Sequence, residues 1–104
     1  MNAPTNRMLP TEREAAILAA ATRVAERLGY NRCTRKDIAT EAGISPGLVS
    51  KRLGTMVEMR RKLMRTAVKD RNLKIIAQGL LVRDPHAMKA DETLRKLAAQ
   101  TLVK

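Results

Sequence analysis

Four residues between positions 47 and 51 could together read the sequence of duplex DNA. Lys51 can donate hydrogen bonds to the acceptors of guanine, and Leu48 can pack against the methyl group of thymine. Ser50 can contact either a base or a phosphate oxygen. Gly47 has no side chain, so the backbone can approach the bases closely. These residue types predict base recognition in the major groove.

A second group of polar residues could bind the phosphates of the same duplex. Thr34, Arg35 and Lys36 stand at the predicted start of a helix, where backbone amides and cations attract anions. Phosphate contacts fix the position of a protein on the duplex and carry no sequence information. Arg52 has two open interpretations, which are a contact to DNA and an ion pair within the fold.

Two short helices joined by a tight turn would hold both groups. Thr34 can cap the first helix, and the side chain of Asp37 can accept a hydrogen bond from the Thr34 backbone, which is an acidic variant of the capping box. Gly43 ends that helix, because glycine takes a left-handed conformation without a steric penalty. Ser45 is a suitable cap for the second helix, and Pro46 fits its first position. The predicted buried face consists of apolar residues at helical spacing: Ile38, Ala39, Ala42, Ile44, Val49 and Leu53.

This pattern predicts a helix-turn-helix whose second helix, residues 45–53, lies in the major groove. The alternative is an ordinary antiparallel helix pair with a glycine turn. An earlier helix completes the predicted DNA-binding domain, residues 11–54. Thr11 and Glu14 form its capping box, and Gly29 ends it. Residues 1–10 hold two prolines and no periodicity, which predicts a flexible arm.

Residues 55–104 are predicted to form a helical connector and dimerisation region. Thr55 and Glu58 make another capping box, and the helix that they open is expected to continue past Asn72. Gly79 is the predicted stop of that helix.

Two further helical pieces are expected beyond this stop. Asp84 followed by Pro85 predicts one, and a final amphipathic helix is expected from about Asp91. The apolar residues of this region exceed what so short a segment needs to cover the core, which predicts a two-fold interface. They are Ile75, Ile76, Leu80, Leu81, Leu94, Leu97 and Leu102. Since nothing has the pattern of a strand, the predicted fold class is all-α, a three-helix helix-turn-helix domain followed by short C-terminal helices.

Charge and composition indicate a polyanionic partner. Lys and Arg number 21 against 10 Asp and Glu, giving a formal charge of +11 that is spread through the chain. Tyr30 is the single aromatic residue, which excludes proteins that stack unpaired bases on aromatic platforms. No window is long and apolar enough to span a bilayer, and the N-terminus lacks the pattern of a signal peptide. We expect a cytoplasmic, nucleoid-associated protein that binds double-stranded DNA and no membrane.

Nothing in the sequence predicts catalysis. The single cysteine and the single histidine stand far apart, and no glycine loop has the pattern that cradles phosphates. No His, Cys or carboxylate cluster has the spacing of a metal site. We therefore expect no enzymatic activity, no metal and no cofactor.

Several short motifs align without a gap from Ile17 to about Met59. An Ile-Leu-x-Ala-Ala segment precedes Gly-Tyr, and then come Asp-Ile-Ala-x-x-Ala-Gly and Ser-x-Gly. The residues that carry them are Ile17, Leu18, Ala20, Ala21, Gly29, Tyr30, Asp37, Ile38, Ala39, Ala42, Gly43, Ser45 and Gly47. This stretch resembles the DNA-binding domain of the TetR-like repressor family. The resemblance implies a repressor that binds DNA as a symmetric dimer.

The chain also departs from that family. The family usually carries Tyr where this chain has Ser50, Phe where it has Leu53, and Lys where it has Met56. The backbone contacts of those Tyr and Lys residues therefore do not carry over, and Arg60, Arg61 or Lys62 are candidates to supply the missing charge. The family continues into a large helical ligand-binding domain, whereas few residues follow here, so we expect no small-molecule effector.

Three functions compete. The leading hypothesis is a sequence-specific transcription regulator, most simply a homodimeric repressor that binds an inverted-repeat operator. The alternative is a nucleoid-type or phage recombination accessory protein that binds DNA with little sequence preference. A third class is a cationic helical protein that attaches to anionic membranes or acidic proteins through residues 51–74. Small size and high basicity are typical of a phage or plasmid regulator, by analogy alone.

Overall fold

The computed structural model describes residues 9–103, and all the regular secondary structure in this part of the chain is helical. It contains seven helices and no strand, which confirms the predicted fold class. The helices are α1 (Pro10–Leu28), α2 (Arg35–Ala42), α3 (Pro46–Leu53), α4 (Met56–Lys69), α5 (Leu73–Leu81), α6 (Pro85–Met88) and α7 (Glu92–Gln100). None of them is long and apolar enough to cross a membrane. Of the predicted arm, residues 1–8 lie outside the described residues.

The start of α1 differs from the predicted capping box of Thr11 and Glu14. Helix α1 begins at Pro10, and the carboxylate of Glu12 accepts a hydrogen bond from the backbone N–H of Leu9 at 3.0 Å. Proline fits this position because the first turn of a helix leaves its backbone donors unused. Thr11 is therefore inside the helix.

Small side chains on α1 let the next helices pack closely. Ala20, Ala21 and Ala25 are fully buried, together with Val24 and Ile17. Alanine allows two helix backbones to approach, so α2, α3, α4 and α5 all contact α1. The core is continuous from the first helix to the last.

The predicted continuous helix past Asn72 is wrong. Helix α4 ends at Lys69, Arg71 takes a left-handed φ of 57°, and the side chain of Asn72 caps α5 by accepting from Ile75 N at 3.2 Å. Asparagine is a strong N-cap, and its bond to the first turn favours a new helix over continuation of the old one.

The prediction that Gly79 stops a helix is wrong. Gly79 lies inside α5. A Cβ atom at this position would clash with Met64 Cε and would stand 2.9 Å from Ala87 Cβ. The glycine therefore permits close packing of α5 against α4 and α6.

The predicted caps of the last two helices are confirmed. Asp84 accepts from the backbone N–H groups of His86 and Ala87 at 2.8 and 3.1 Å, and Asp91 accepts from Leu94 N at 3.2 Å. Both carboxylates satisfy donors that the first turn of a helix leaves free.

Three of the seven residues predicted for dimerisation lie in the protein's own core. Ile75 and Ile76 are fully buried, and Leu94 is 3% exposed. They face inwards because α5 packs on α1 and α4 while α7 packs on α5. Assigning these three to a partner interface was wrong, since the monomer already covers them.

Polar side chains from the C-terminal half hold the end of α1. Gln78 accepts from Tyr30 N at 2.7 Å and donates to Ala25 O at 3.4 Å. Asn72 donates to Glu26 at 2.8 Å, and the hydroxyl of Tyr30 donates to the buried carboxylate of Asp84. We call this set, Glu26, Tyr30, Asn72, Gln78 and Asp84, the α1 clamp.

Because Tyr30 is part of the α1 clamp, we expect it to lose its proton at a higher pH than an exposed tyrosine does. Burial, and next the hydrogen bond to Asp84, raise the pKa of Tyr30 above its usual value, because both favour the neutral phenol. Tyr30 is the protein's only tyrosine and there is no tryptophan, so ultraviolet absorbance follows this one group. The phenolate signal should appear at higher pH in the folded protein than in concentrated urea.

Because the pKa of Tyr30 is higher in the folded protein than in the unfolded chain, the free energy of unfolding depends on pH. The stabilisation is fully present below the unfolded value of about 10 and is lost as pH rises through the folded value. Asp84→Asn keeps an acceptor but removes the charge, and should lower the folded pKa part of the way. Identical titration curves for folded and unfolded protein would contradict the buried contact.

Candidate nucleic-acid interface

Helix α2 begins with the predicted capping box. Thr34 Oγ1 accepts from Asp37 N at 3.1 Å, and Asp37 Oδ2 accepts from Thr34 N at 3.0 Å. The pKa of Asp37 is lowered, mainly by its hydrogen bond from the Thr34 backbone and then by the Thr34 hydroxyl. Asp37 is therefore ionised at neutral pH, and its charged carboxylate accepts the hydrogen bonds of the capping box.

The turn between α2 and α3 has the expected glycine geometry. Gly43 is left-handed with a φ of 71°, and Ile44 N donates back to Ala39 O at 3.0 Å. Ser45 Oγ then accepts from Leu48 N at 3.2 Å and caps α3, with Pro46 at the first position. Val49 and Leu53 are buried, and Ile38 and Ala39 of α2 are also in the core.

The opposite face of α3 carries the predicted base contacts. Ser45, Pro46, Gly47 and Lys51 are exposed, while Leu48, Ser50 and Arg52 are half-buried. The hydroxyl of Ser50 donates only to Pro46 O, at 3.4 Å, so it is available for a second partner. These residues follow one another on a short, capped helix whose other side is anchored in the core.

Arg52 forms no ion pair with any of the residues 9–103. Its Nε atom is buried and has no hydrogen-bond partner among them, and its backbone oxygen accepts from Lys62 Nζ at 3.4 Å. Of the two interpretations of Arg52, the ion pair within the fold does not occur in the described part of the chain.

The predicted phosphate contacts stand at the start of α2. Lys36 and Thr34 are exposed, and Arg35 is half-buried. The Thr34 hydroxyl also donates to Asp37 Oδ2 at 2.8 Å, so its proton is already used within the cap. Lys36 and Arg35 therefore have the freer donors.

An ion-pair cluster joins α1 to α2, and local sequence patterns gave no signal for it. Glu41 accepts from Arg23 Nε at 2.8 Å and from Arg27 Nη2 at 3.3 Å. The pKa of Glu41 is lowered, first by the Arg23 hydrogen bond. Arg23 and Arg27 lie 18 and 14 positions from Glu41, beyond the reach of helical spacing rules.

The three candidates for the missing positive charge differ in their surroundings. Lys62 lies 3.7 Å from the carboxylate of Glu14 and is already paired. Arg60 Nη2 donates to Asn31 O at 3.4 Å, and Arg61 is exposed. No group of three or more His, Cys, Asp or Glu residues in the described chain could hold a metal ion.

Comparison with known families identifies the domain that contains this site. Residues 17–61 match the family of bacterial regulatory proteins called the tetR family. No curated protein and no solved structure gives a significant match to the chain. The match spans α2, the turn and α3, together with most of α1 and the first part of α4. Residues 17–61 are thus similar to the helix-turn-helix DNA-binding domain of the tetR family of bacterial regulatory proteins.

The cap of α3 predicts a specific loss of stability. Ser45→Ala should lower the free energy of unfolding by about 1 kcal/mol, because Leu48 N loses its acceptor. Ser50→Ala is the matched control on the same helix, and it should cost less, since alanine favours the helix and the Ser50 bond is only local. Urea denaturation measures both. Equal losses would contradict the assigned cap.

Proposed function

We propose that this TetR-like protein is a transcriptional repressor that reads an operator through residues 45–52 of its helix-turn-helix. The observation that carries the proposal is the division of α3 into a buried side and an open side. Val49 and Leu53 anchor the helix, and Lys51 is exposed opposite them. Such an anchored helix holds base-contacting groups in one orientation, which sequence-specific reading requires.

Each candidate residue has a distinct role in this proposal. Lys51 donates to guanine acceptors and Leu48 contacts a thymine methyl. Gly47 and Pro46 bring the backbone close to the groove, and Ser50 binds a base edge or a phosphate. Arg52, which forms no ion pair among residues 9–103, makes a further contact to DNA. Arg35 and Lys36, with the α2 cap at Thr34 and the α3 cap at Ser45, fix the register on the phosphate backbone.

We further propose that the protein acts as a homodimer on an inverted repeat. Four of the apolar residues predicted for the interface keep open surface, since Leu81, Leu97 and Leu102 are 68%, 39% and 44% exposed and Leu80 is half-buried. An open groove of about 320 Å³ between α5 and α7 includes Leu80. A second copy of the chain would cover these exposed leucines, as subunits do in a symmetric dimer.

The runner-up is a nucleoid-type or phage accessory protein with little sequence preference. The net charge of +11 favours general attraction to DNA as much as specific binding. A regulator of phage or plasmid origin acting in the cytoplasm fits either role. Operator reading as proposed requires no enzymatic step, no cofactor and no small-molecule effector.

Base reading and phosphate binding are separable by mutation. Lys51→Ala and Leu48→Ala should each cost about 1 to 3 kcal/mol on a duplex selected from random DNA, and should relax preference at particular base pairs. Arg35→Ala is the control, and it should weaken selected and random duplexes alike. Binding isotherms at moderate salt measure the difference.

Two outcomes of that experiment would oppose the proposal. If wild-type protein bound selected and random duplexes equally, the accessory role would replace the repressor role. If all three variants weakened every duplex uniformly, α3 would not be the reading helix.

The dimer is tested by charge insertion on the α5 and α7 surface. Leu97→Asp and Leu81→Asp should convert a dimer to a monomer that occupies single half-sites weakly. Leu28→Asp is the matched control, because Leu28 is 43% exposed but lies on α1. Sedimentation at roughly 10 μM, far above a typical dissociation constant for a specific site, decides it. A wild-type protein that stays monomeric with and without operator would defeat the dimer proposal.

A further inference from the structure

A basic cleft opens on the side of the molecule where α4 faces α6. Its volume is about 470 Å³, within the range of sites that take small ligands. The polar residues that line it are Tyr30, Arg60, Arg61, Asp84, His86 and Lys89. Val57 and Pro85 add an apolar wall. The cleft therefore joins the TetR-like domain to the C-terminal helices.

The charges in the basic cleft are almost all of one sign. Arg60, Arg61 and Lys89 take part in none of the four ion pairs among residues 9–103. The only carboxylate in the lining is that of Asp84, and its oxygens already accept from Tyr30, His86 N and Ala87 N. The lining therefore holds three cations and one carboxylate, and none of the three cations forms an ion pair with that carboxylate.

Arg60 has an unused donor at this place. Its Nε atom is buried and has no hydrogen-bond partner among the described residues, while its Nη2 donates to Asn31 O at 3.4 Å. A buried donor without an acceptor is costly and uncommon in folded proteins. The guanidinium group is thus held at the loop before α2 through one long hydrogen bond, and no described acceptor satisfies its Nε.

We propose that the basic cleft binds a phosphate group, with Arg60 as its main ligand and Arg61 and Lys89 as further cations. A phosphate has several acceptor oxygens and up to two negative charges, and the planar guanidinium of arginine matches two of those oxygens at once. Val57 and Pro85 would contact the organic part of the ligand. This site is separate from the residues of α3 that are proposed to read bases, and its affinity for phosphate can be measured without DNA.

Two sources could supply the phosphate group. One is the DNA backbone, because α4 follows α3 closely in the chain and Asn31 lies just before Thr34. The other is a free phosphate ester, which would bridge the DNA-binding domain and α6. The chemistry of recognition is the same in both.

The first experiment titrates the full chain, labelled with ¹⁵N, with inorganic phosphate against chloride at equal ionic strength. The signal of the Arg60 side-chain N–H and the amides around Val57 and Lys89 should shift saturably with phosphate only. Arg60→Gln should weaken binding about tenfold or more, and Arg60→Lys should restore part of it. Arg65→Gln is the matched control, since Arg65 is exposed on α4 outside the cleft.

Lys89→Gln keeps the site testable if Arg60 variants fail to fold, because Lys89 is exposed. This variant should also weaken phosphate binding, whereas Lys74→Gln, on α5 outside the cleft, should not. If phosphate and chloride gave the same shifts, or if the folded cleft variants bound phosphate as tightly as the controls, the proposal would be overturned.

A second titration assigns the source. If the DNA backbone occupies the cleft, a bound duplex should abolish the phosphate shifts, and Lys89→Gln should reduce the slope of log affinity against log salt by about 0.9. If a free ester is the ligand, phosphate should still bind to the protein–duplex complex with the slope unchanged. The phosphate titration needs no DNA, so its result is independent of whether the protein prefers an operator sequence.

Discussion

The α1 clamp is the interaction on which the position of the helix-turn-helix depends. Helix α1 ends at Gly29, and the next residue, Tyr30, is held through its backbone by Gln78 and through its hydroxyl by Asp84. These bonds satisfy polar groups that the core would otherwise leave unpaired, which is costly inside a protein. Since α2 and α3 pack on α1, the C-terminal helices help to set where α3 stands.

The parts of the fold that sequence analysis could predict are those encoded locally. The caps at Thr34, Ser45 and Thr55 each involve a residue three positions away, so their signal is complete within one turn. The break between α4 and α5 was missed because Arg71 adopts a left-handed conformation that is more usual for glycine. The helix stop predicted at Gly79 is wrong because this glycine allows close packing against residues distant in sequence and does not form a turn.

The candidate site shows the same division between local and distant information. The open face of α3 could be predicted because Val49 and Leu53 stand four positions apart, which assigns them to the buried face. The residues on the other side are then left for contacts outside the fold. The pairing of Glu41 with Arg23, and that of Lys62 with Glu14, depends on how helices cross and has no local pattern. Three cations that a count of Lys and Arg would treat as free are therefore already paired, and they are Arg23, Arg27 and Lys62.

The sequence separation within the α1 clamp has a consequence for the order of folding. Tyr30 meets Gln78 and Asp84 across 48 and 54 positions, whereas α2 and α3 contact each other across a turn of three residues. Closing a long loop costs more entropy than closing a short one, so contacts between neighbouring helices form more readily. During synthesis α2 and α3 can thus be complete while α1 still lacks its clamp. Until residue 84 has left the ribosome, we expect the end of α1 to fray, so the arrangement of the first three helices becomes fixed only with the C-terminal half.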